Sequence, residues 1–375
     1  MLPIIAYLLK INKRKIQIII YNSTKLITFS EIRSKKLKNQ KILKLGASIV
    51  AFASAVGRKE SEGPLRNHFD IFDETDEYGE KKWDRSESAM EKKAVELAMN
   101  KSGLKTDDVD LIFAGDLQNQ CTSSAYGVKD YNVPYFGLYG ACSTCAESIM
   151  LASIALNIEN VNRCIAVTSS HNCSAEMQFR TPLEYGAQRT PTAQWTVTGA
   201  GAFILSKYDK SYPKAPIVCE AMAGRIVEMG INDTNNMGAA MAPAAADTLS
   251  RYLSMADTER VDLILTGDLG YEGSSILYEL METHQINIRD LHNDCGMIIY
   301  SRKTQDTHSG GSGCGCSASV LAAYILPKLI SGELNDVIFM ATGAMMSPSS
   351  VKQGEAIPGI AHLLRIKSAS AVSRE

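Results

Sequence analysis

The run Gly137-Leu138-Tyr139-Gly140-Ala141-Cys142-Ser143-Thr144-Cys145-Ala146-Glu147-Ser148 leads a small-residue turn from an apolar segment straight into an apolar helix. Such a turn presents Cys142 at a helix N-terminus, where unpaired backbone N–H groups and the positive end of the dipole favour thiolate. The pattern returns in Gly313-Cys314-Gly315-Cys316-Ser317-Ala318-Ser319-Val320-Leu321, with Cys316 standing 174 residues after Cys142. Thr168 in Ala166-Val167-Thr168-Ser169-Ser170 falls on Thr342 in Met340-Ala341-Thr342-Gly343-Ala344 at the same offset. Upstream, Val109-Asp110-Leu111-Ile112-Phe113-Ala114-Gly115-Asp116-Leu117 matches Val261-Asp262-Leu263-Ile264-Leu265-Thr266-Gly267-Asp268-Leu269, 152 residues apart. The chain reads as two copies of one unit, the second carrying about 22 extra residues before its cysteine turn.

Each copy has the rhythm of an α/β protein. The first opens with a strand at 47–53 and a polar, acidic loop at 58–85. Met90, Ala94, Leu97 and Ala98 recur at helical spacing, Gly103 supplies a C-cap, and 109–114 reads as a buried strand. The helix at 143–157 is apolar nearly all round, which places it between other layers; strands at 164–168 and 199–205 complete this half. The second copy gives a helix at 244–256, a strand at 261–266, a helix at 274–283, a strand at 297–301, a helix at 317–329, and strands at 337–341 and 362–366. Pro327 is expected to kink or end its helix. Two sheets sharing a buried helix layer bury helices this apolar. About 30 residues between the strands ending at 168 and beginning at 199 show no clear helix or strand, and so read as a functional or dimer-contacting loop.

With 375 residues the chain can bury a large core without staples. Its nine cysteines, in close pairs and apolar runs, and the lack of a signal-peptide pattern point to a reducing compartment. Residues 1–46 hold eleven Lys/Arg against one acidic residue, leaving the remainder at −12. Three units follow: a basic Lys/Ile-rich extension at 1–44, a first half at 45–210 and a second at 211–375. The extension has no apolar run of the roughly 18 residues that span a bilayer. It suits either an anionic membrane surface or an upstream stretch belonging to no domain. An acidic domain without a basic stripe excludes a nucleic-acid partner.

Residues 45–367 resemble the thiolase and ketoacyl-synthase fold, a duplicated five-layer α/β/α/β/α sandwich, through the cysteine after Gly140-Ala141 and the strand Thr198-Gly199-Ala200-Gly201-Ala202-Phe203-Ile204-Leu205. Longer runs are similar to the stage V sporulation protein AD family: Thr168-Ser169-Ser170-His171-Asn172, Gln178-Phe179-Arg180, Glu184-Tyr185-Gly186, Pro191-Thr192-Ala193-Gln194-Trp195, Asn236-Met237-Gly238-Ala239-Ala240-Met241-Ala242-Pro243-Ala244 and Gly310-Gly311-Ser312-Gly313-Cys314-Gly315-Cys316. The resemblance implies a sporulation protein that takes part in uptake of dipicolinic acid (pyridine-2,6-dicarboxylate) into the developing spore. It also implies a homodimer and a membrane channel complex as partner, the chain itself being soluble or peripheral at the spore inner membrane, with no cofactor and no metal.

In condensing enzymes of this fold, the cysteine works with a histidine and a second His or Asn that stabilise the oxyanion or enolate. Here Asp268 and the run Gly313-Cys314-Gly315 occupy the matching places, and a carboxylate beside the thiol opposes its ionisation. The resulting expectation is a non-condensing pocket lined by Cys142 and Cys314 with Asp268 at its base. The alternative is an acyltransferase with Cys142 as acyl-accepting nucleophile. Cys142 and Cys145 also have redox-pair spacing, and Cys142, Cys145, Cys314 and Cys316 have the ligand count of a zinc site, although that set would tie two cysteines inside apolar helix faces. For a planar aromatic dicarboxylate, the candidates are His171 and Asn172 at a strand end, with Arg180, Gln194 and Trp195 in the long loop. The competing reading pairs Arg180 with Glu176 or Glu184, puts Trp195 in a dimer interface and makes His171 a surface loop residue.

Overall fold

A computed structural model describes residues 41–179, 189–209 and 211–372. The strands are β1 (Leu43–Val56), β2 (Ile71–Phe72), β3 (Leu111–Gly115), β4 (Tyr135–Gly137), β5 (Arg163–Ser170), β6 (Trp195–Thr196), β7 (Gly199–Lys207), β8 (Ile217–Met222), β9 (Leu263–Thr266), β10 (His292–Asp294), β11 (Gly311–Ser312), β12 (Asp336–Ala344) and β13 (Gly359–Lys367). The main sheet runs β10-β9-β12-β13-β8-β1-β7-β5-β3-β4, with β2 beside β1, while β6 and β11 form a separate two-stranded ribbon. One copy's path from centre to edge is β1-β7-β5-β3-β4, and the other's is β8-β13-β12-β9-β10.

Instead of the two sheets expected, the halves join through antiparallel β1 and β8, from Leu43 opposite Ala221 to Ser48 opposite Ile217. The reason is the length of β1: its first residues pair with β8 and residues 47–56 pair with β7.

The helix Thr144–Ala155 and the helical run from Cys314 to Ser331 lie between the two half-sheets. Ile149, Phe203, Val320, Leu321, Phe339 and Leu364 are among the side chains of that central core. Outside, helix Trp83–Ser102 buries Met90, Ala94, Val95 and Ala98 on one half-sheet; helices Met237–Leu253 and Gly270–Thr283 cover the other. These are the five layers that the resemblance implies.

Three local readings change. The apolar run at 297–301 is not a strand: helix Cys295–Ile299 follows strand β10, and so short an apolar run cannot be assigned by periodicity. Pro327 does not end its helix, because a wider π turn over Leu321–Ile325 absorbs the missing N–H before Leu326–Ser331 continues. The long loop contains helix Asn172–Phe179 and strand β6. Among the described residues, one helical stretch, Cys314–Ser331, has the length and apolarity to cross a membrane, but 72% of it is buried in the fold.

The cysteine turn packs against the end of β12 at Gly343, where a Cβ would lie 2.4 Å from the Gly140 carbonyl oxygen and 3.1 Å from Ser143 N. Gly343→Ala is expected to cost about 1–3 kcal/mol by overpacking. Gly46→Ala, with no atom within 4 Å of the added carbon, should be close to neutral. Thermal melts of both variants check the contrast; equal midpoints would contradict it.

Candidate functional site

The turn before the central helix is built by two hydroxyls and one left-handed residue. Ala141 has φ +50°, Ser143 Oγ donates to the Gly140 carbonyl at 2.6 Å, and Thr144 Oγ1 donates to the Ala141 carbonyl at 2.7 Å. Cys142 is thereby held 6% exposed, its Sγ 3.9 Å from Ser312 Oγ. Behind it lies Asp268, fully buried. Asp268 Oδ2 accepts from Ser312 Oγ at 3.1 Å and from Gly313 N at 2.9 Å, and Oδ1 accepts from Thr342 Oγ1 at 2.8 Å.

Burial, then the charge of Asp268 and a hydrogen bond to it, push the Cys142 thiol well above its ordinary 9.0. The thiolate-favouring helix terminus is outweighed, and Cys142 stands as a thiol. Burial also raises the Asp268 carboxyl, against the donors around it.

Cys142 packs with Leu117, Ala175, Cys314 and Phe179. Cys314 is fully buried, and its Sγ donates to the Ser169 carbonyl at 2.9 Å. The cavity beside Cys142 has a volume of about 50 Å³, narrow against pockets that enclose ligands. Tyr139, Thr196, Ser312 and Met237 are in its wall with Glu176; among the described residues no Lys, Arg or His lines it.

Next to Cys314 is a group that the sequence reading did not single out: Glu87, Glu91 and Asp116, all buried. Ser169 Oγ bridges Glu91 Oε2 at 2.7 Å and Glu87 Oε1 at 3.2 Å, while Ser124 Oγ lies 2.7 Å from Asp116 Oδ2 and 3.1 Å from Glu91 Oε2. Each hydroxyl lies between two carboxyls with one proton to donate, and Asp116 also accepts from Gln118 N and Ser124 N, both at 2.7 Å, so the neutral form is best accommodated at Glu87 and Glu91. Burial first, then the Asp116 charge, raises Glu91 to about 8; burial, with Asp116 and Glu91, raises Glu87 well above the carboxylate range. The available signal was positional, since 87, 91, 94 and 98 recur on the face of one helix with Met90 beside them.

The other candidates separate. His171 is fully buried: its Nδ1 accepts from Cys173 N at 3.2 Å, which leaves Nε2–H to donate to the Asp76 carbonyl at 2.9 Å. No ring nitrogen is left for a ligand, and neither is the residue on the surface. Asn172 Nδ2 donates to the Thr196 carbonyl at 3.2 Å. Gln194 is 2% exposed and its Nε2 donates to the carbonyls of Asp268 at 2.7 Å and Gly311 at 2.9 Å, which ties ribbon to pocket base. Trp195 is half-buried beside Lys59 and Arg189. Arg180 lies outside the described residues. The structure thus brings Cys142, Cys314 and Asp268 together and puts Trp195 elsewhere. All nine cysteines are free thiols, and among the described residues no group of three or more His, Cys, Asp or Glu is placed to hold a metal ion.

A pH dependence of stability follows. Burial raises Glu60 to about 7, Glu91 to about 8 and Asp294 to about 7, each above its unfolded value. The fold favours their neutral forms, so this contribution is complete below the unfolded values and is lost as pH rises through 7 to 8. Each titrating group contributes up to about 1.4 kcal/mol per pH unit. The urea midpoint should fall between about pH 6 and about pH 8.5. Glu91→Gln should flatten the fall; a midpoint that rises over this range would contradict the assignment.

Residues 38–367 match the family model described as Stage V sporulation protein AD. The chain is 40% identical over 311 residues to Stage V sporulation protein AD of Bacillus subtilis (strain 168), covering 82% of this chain and 90% of that one. Among solved structures, a variant of OleA from Xanthomonas campestris aligns with TM-score 0.55 and 13% identity over 88% of this chain and 100% of that one. The 3-oxoacyl-[acyl-carrier-protein] synthase III of Aquifex aeolicus VF5 aligns with TM-score 0.52 and 11% identity over 86% and 100%. The structural likeness establishes the thiolase-like fold, and the sequence matches establish that the chain belongs to the Stage V sporulation protein AD family.

Proposed function

We propose that the protein binds dipicolinic acid without condensing anything and supports its uptake into the developing spore. The observation that carries the non-condensing half is the environment of Cys142. A condensing site needs a reactive thiolate and donors for a developing oxyanion. Burial, and after it Asp268, instead keep the thiol protonated, and Asp268 presents acceptor oxygens where a condensing site needs donors. The ligand half rests on the family, whose association with dipicolinate uptake supports this reading. The partners in this reading are membrane channel proteins of the same sporulation complex, met at the spore inner membrane.

A second copy of the chain is a further proposed partner. The edge strand β4 has Phe136 51% exposed and stacked on Phe113, and Tyr139, two residues beyond the strand, is exposed as well. An unpaired edge with exposed aromatic side chains favours pairing with its own kind. Tyr139 also lines the cavity, so such a dimer would adjoin it.

The rival reading, an acyltransferase using Cys142, is separated by calorimetry on the full chain. Saturable heat with dipicolinate, little with picolinate, none with an acyl-CoA and retention of binding in Cys142→Ala are expected. Acylation of Cys142 by the acyl-CoA, with no dipicolinate heat, would restore the enzyme reading.

A further inference from the structure

A chain of hydrogen bonds runs from the outer helix Gly270–Thr283 to a buried acid beside Asp268. Tyr278, half-buried on that helix, has its hydroxyl 2.9 Å from His292 Nδ1. His292 Nε2 lies 2.9 Å from Thr266 Oγ1, and Thr266 Oγ1 donates to Asp294 Oδ2 at 2.6 Å. Strands β9 and β10 set this spacing: Thr266 pairs with Asp294 in parallel register, and His292 shares a face of β10 with Asp294 by strand alternation. Asp294 is fully buried and His292 is 8% exposed, so Tyr278 is the end of the chain that meets water.

Donor counting gives the chain a direction. An ionised Asp294 only accepts, so the single hydroxyl proton of Thr266 goes to it; neutral His292 then donates Nε2–H to Thr266, and Tyr278 donates to Nδ1. Burial keeps His292 neutral by holding it down at about 4. The opposite direction is equally complete once Asp294 is protonated. The carboxyl's other partners are Leu269 N, 2.9 Å from Oδ2, and Gly270 N, 3.0 Å from Oδ1, and neither can accept a proton. Thr266 Oγ1 is the partner that can. It then turns its own proton to His292 Nε2, since the Asn293 carbonyl at 3.5 Å is a poorer acceptor, and His292 donates Nδ1–H to Tyr278.

Passage between the two arrangements takes up one proton. A solvent acid gives it to the Tyr278 oxygen, the Tyr278 proton goes to Nδ1, the Nε2 proton to Thr266 Oγ1 and the Thr266 proton to Asp294 Oδ2. Each bond to hydrogen that forms is matched by one that breaks, and the charge that disappears is that of Asp294. The titratable groups facing Asp294 are Asp268 from the loop after β9, the thiols of Cys295 and Cys316 from the adjacent helices, and Tyr278. Burial holds both thiols in the neutral form, and the Asp268 charge favours a neutral Asp294. At the outer end, Arg289 lies over the Tyr278 ring at 4.6 Å and pairs with Glu282 at 2.9 Å.

The charge on Asp294 has a structural consequence. Ionised, it holds Leu269 N and Gly270 N, the amides that follow Asp268, while the Asp268 carbonyl accepts from Gln194 Nε2. Neutralisation weakens both charge-assisted bonds. We infer that Tyr278, His292 and Thr266 form a proton relay that connects Asp294 to solvent, and that Asp294 is a proton-operated latch on the turn Asp268–Gly270 beneath the Cys142 cleft. The relay is independent of which molecule the cleft binds.

Two measurements on the full chain test this. With histidine labelled at its ring nitrogens for NMR, the His292 signals, assigned as those shifted in Tyr278→Phe, should pass from the Nε2–H tautomer at high pH to the Nδ1–H tautomer at low pH, with a midpoint near 7 and the ring neutral throughout. Tyr278→Phe, which leaves Nδ1–H without its acceptor, should move the switch to lower pH, and Asp294→Asn should abolish it. In hydrogen exchange corrected for intrinsic rates, protection of Leu269 and Gly270 should fall roughly three- to tenfold from about pH 8 to about pH 6. Protection of the central core should rise over the same interval, because global stability rises as pH falls. A His292 ring that keeps one tautomer, or that becomes an imidazolium ion, overturns the relay. Protection of Leu269 and Gly270 that rises with the core's overturns the latch. Both readings are made on the unsubstituted protein, so they stand even where Asp294→Asn fails to fold.

Discussion

The hydrogen bonds that converge on Asp268 are the constraint on which the rest of the site depends. This one carboxylate joins the loop after β9 to Ser312 and Gly313 before the second central helix and to Thr342 on β12. It also reaches Cys142 of the other copy. A buried carboxylate with this many donors is costly to disturb, because each donor would be left unsatisfied in a low-dielectric interior. Its placement therefore fixes the geometry of the cleft and, together with burial, holds the thiol beside it in the protonated form.

The same principle extends outward. The interior layers carry buried acids in both copies, Glu87, Glu91 and Asp116 in the first and Asp268 and Asp294 in the second. Serine and threonine hydroxyls and backbone N–H groups are their main partners. Basic side chains gather elsewhere, as in the Arg365–Asp336 pair and around Trp195. The fold thus keeps a thiol-and-carboxyl centre apart from a cationic outer face, with the short β6–β11 ribbon between them and Gln194 linking ribbon to Asp268.

Much of this was legible because the chain repeats itself. The echo of 109–117 in 261–269 places Asp116 and Asp268 at equivalent strand ends, and the cysteine turns open the two central helices. A helix apolar all round and only 12 residues long, as Thr144–Ala155 is, is too short to span a bilayer and so is buried between layers. Less legible were features set by long-range partners. The join of the half-sheets depends on how β1 divides its length between β7 and β8. His171 has the chemistry of a ligand contact in sequence, yet Asp76 and Cys173 use both ring nitrogens. Lys59 and Trp195 meet across 136 residues of chain, a distance no local pattern spans.

Whether burial and Asp268 together hold Cys142 in the thiol form is read from the pH dependence of Cys142 alkylation, followed by mass spectrometry of the labelled peptide. The rate is expected to climb still beyond the ordinary thiol value of 9.0, with a profile displaced to lower pH in Asp268→Asn. A rate that levels off below about pH 8, unchanged by that substitution, would show an activated thiolate instead.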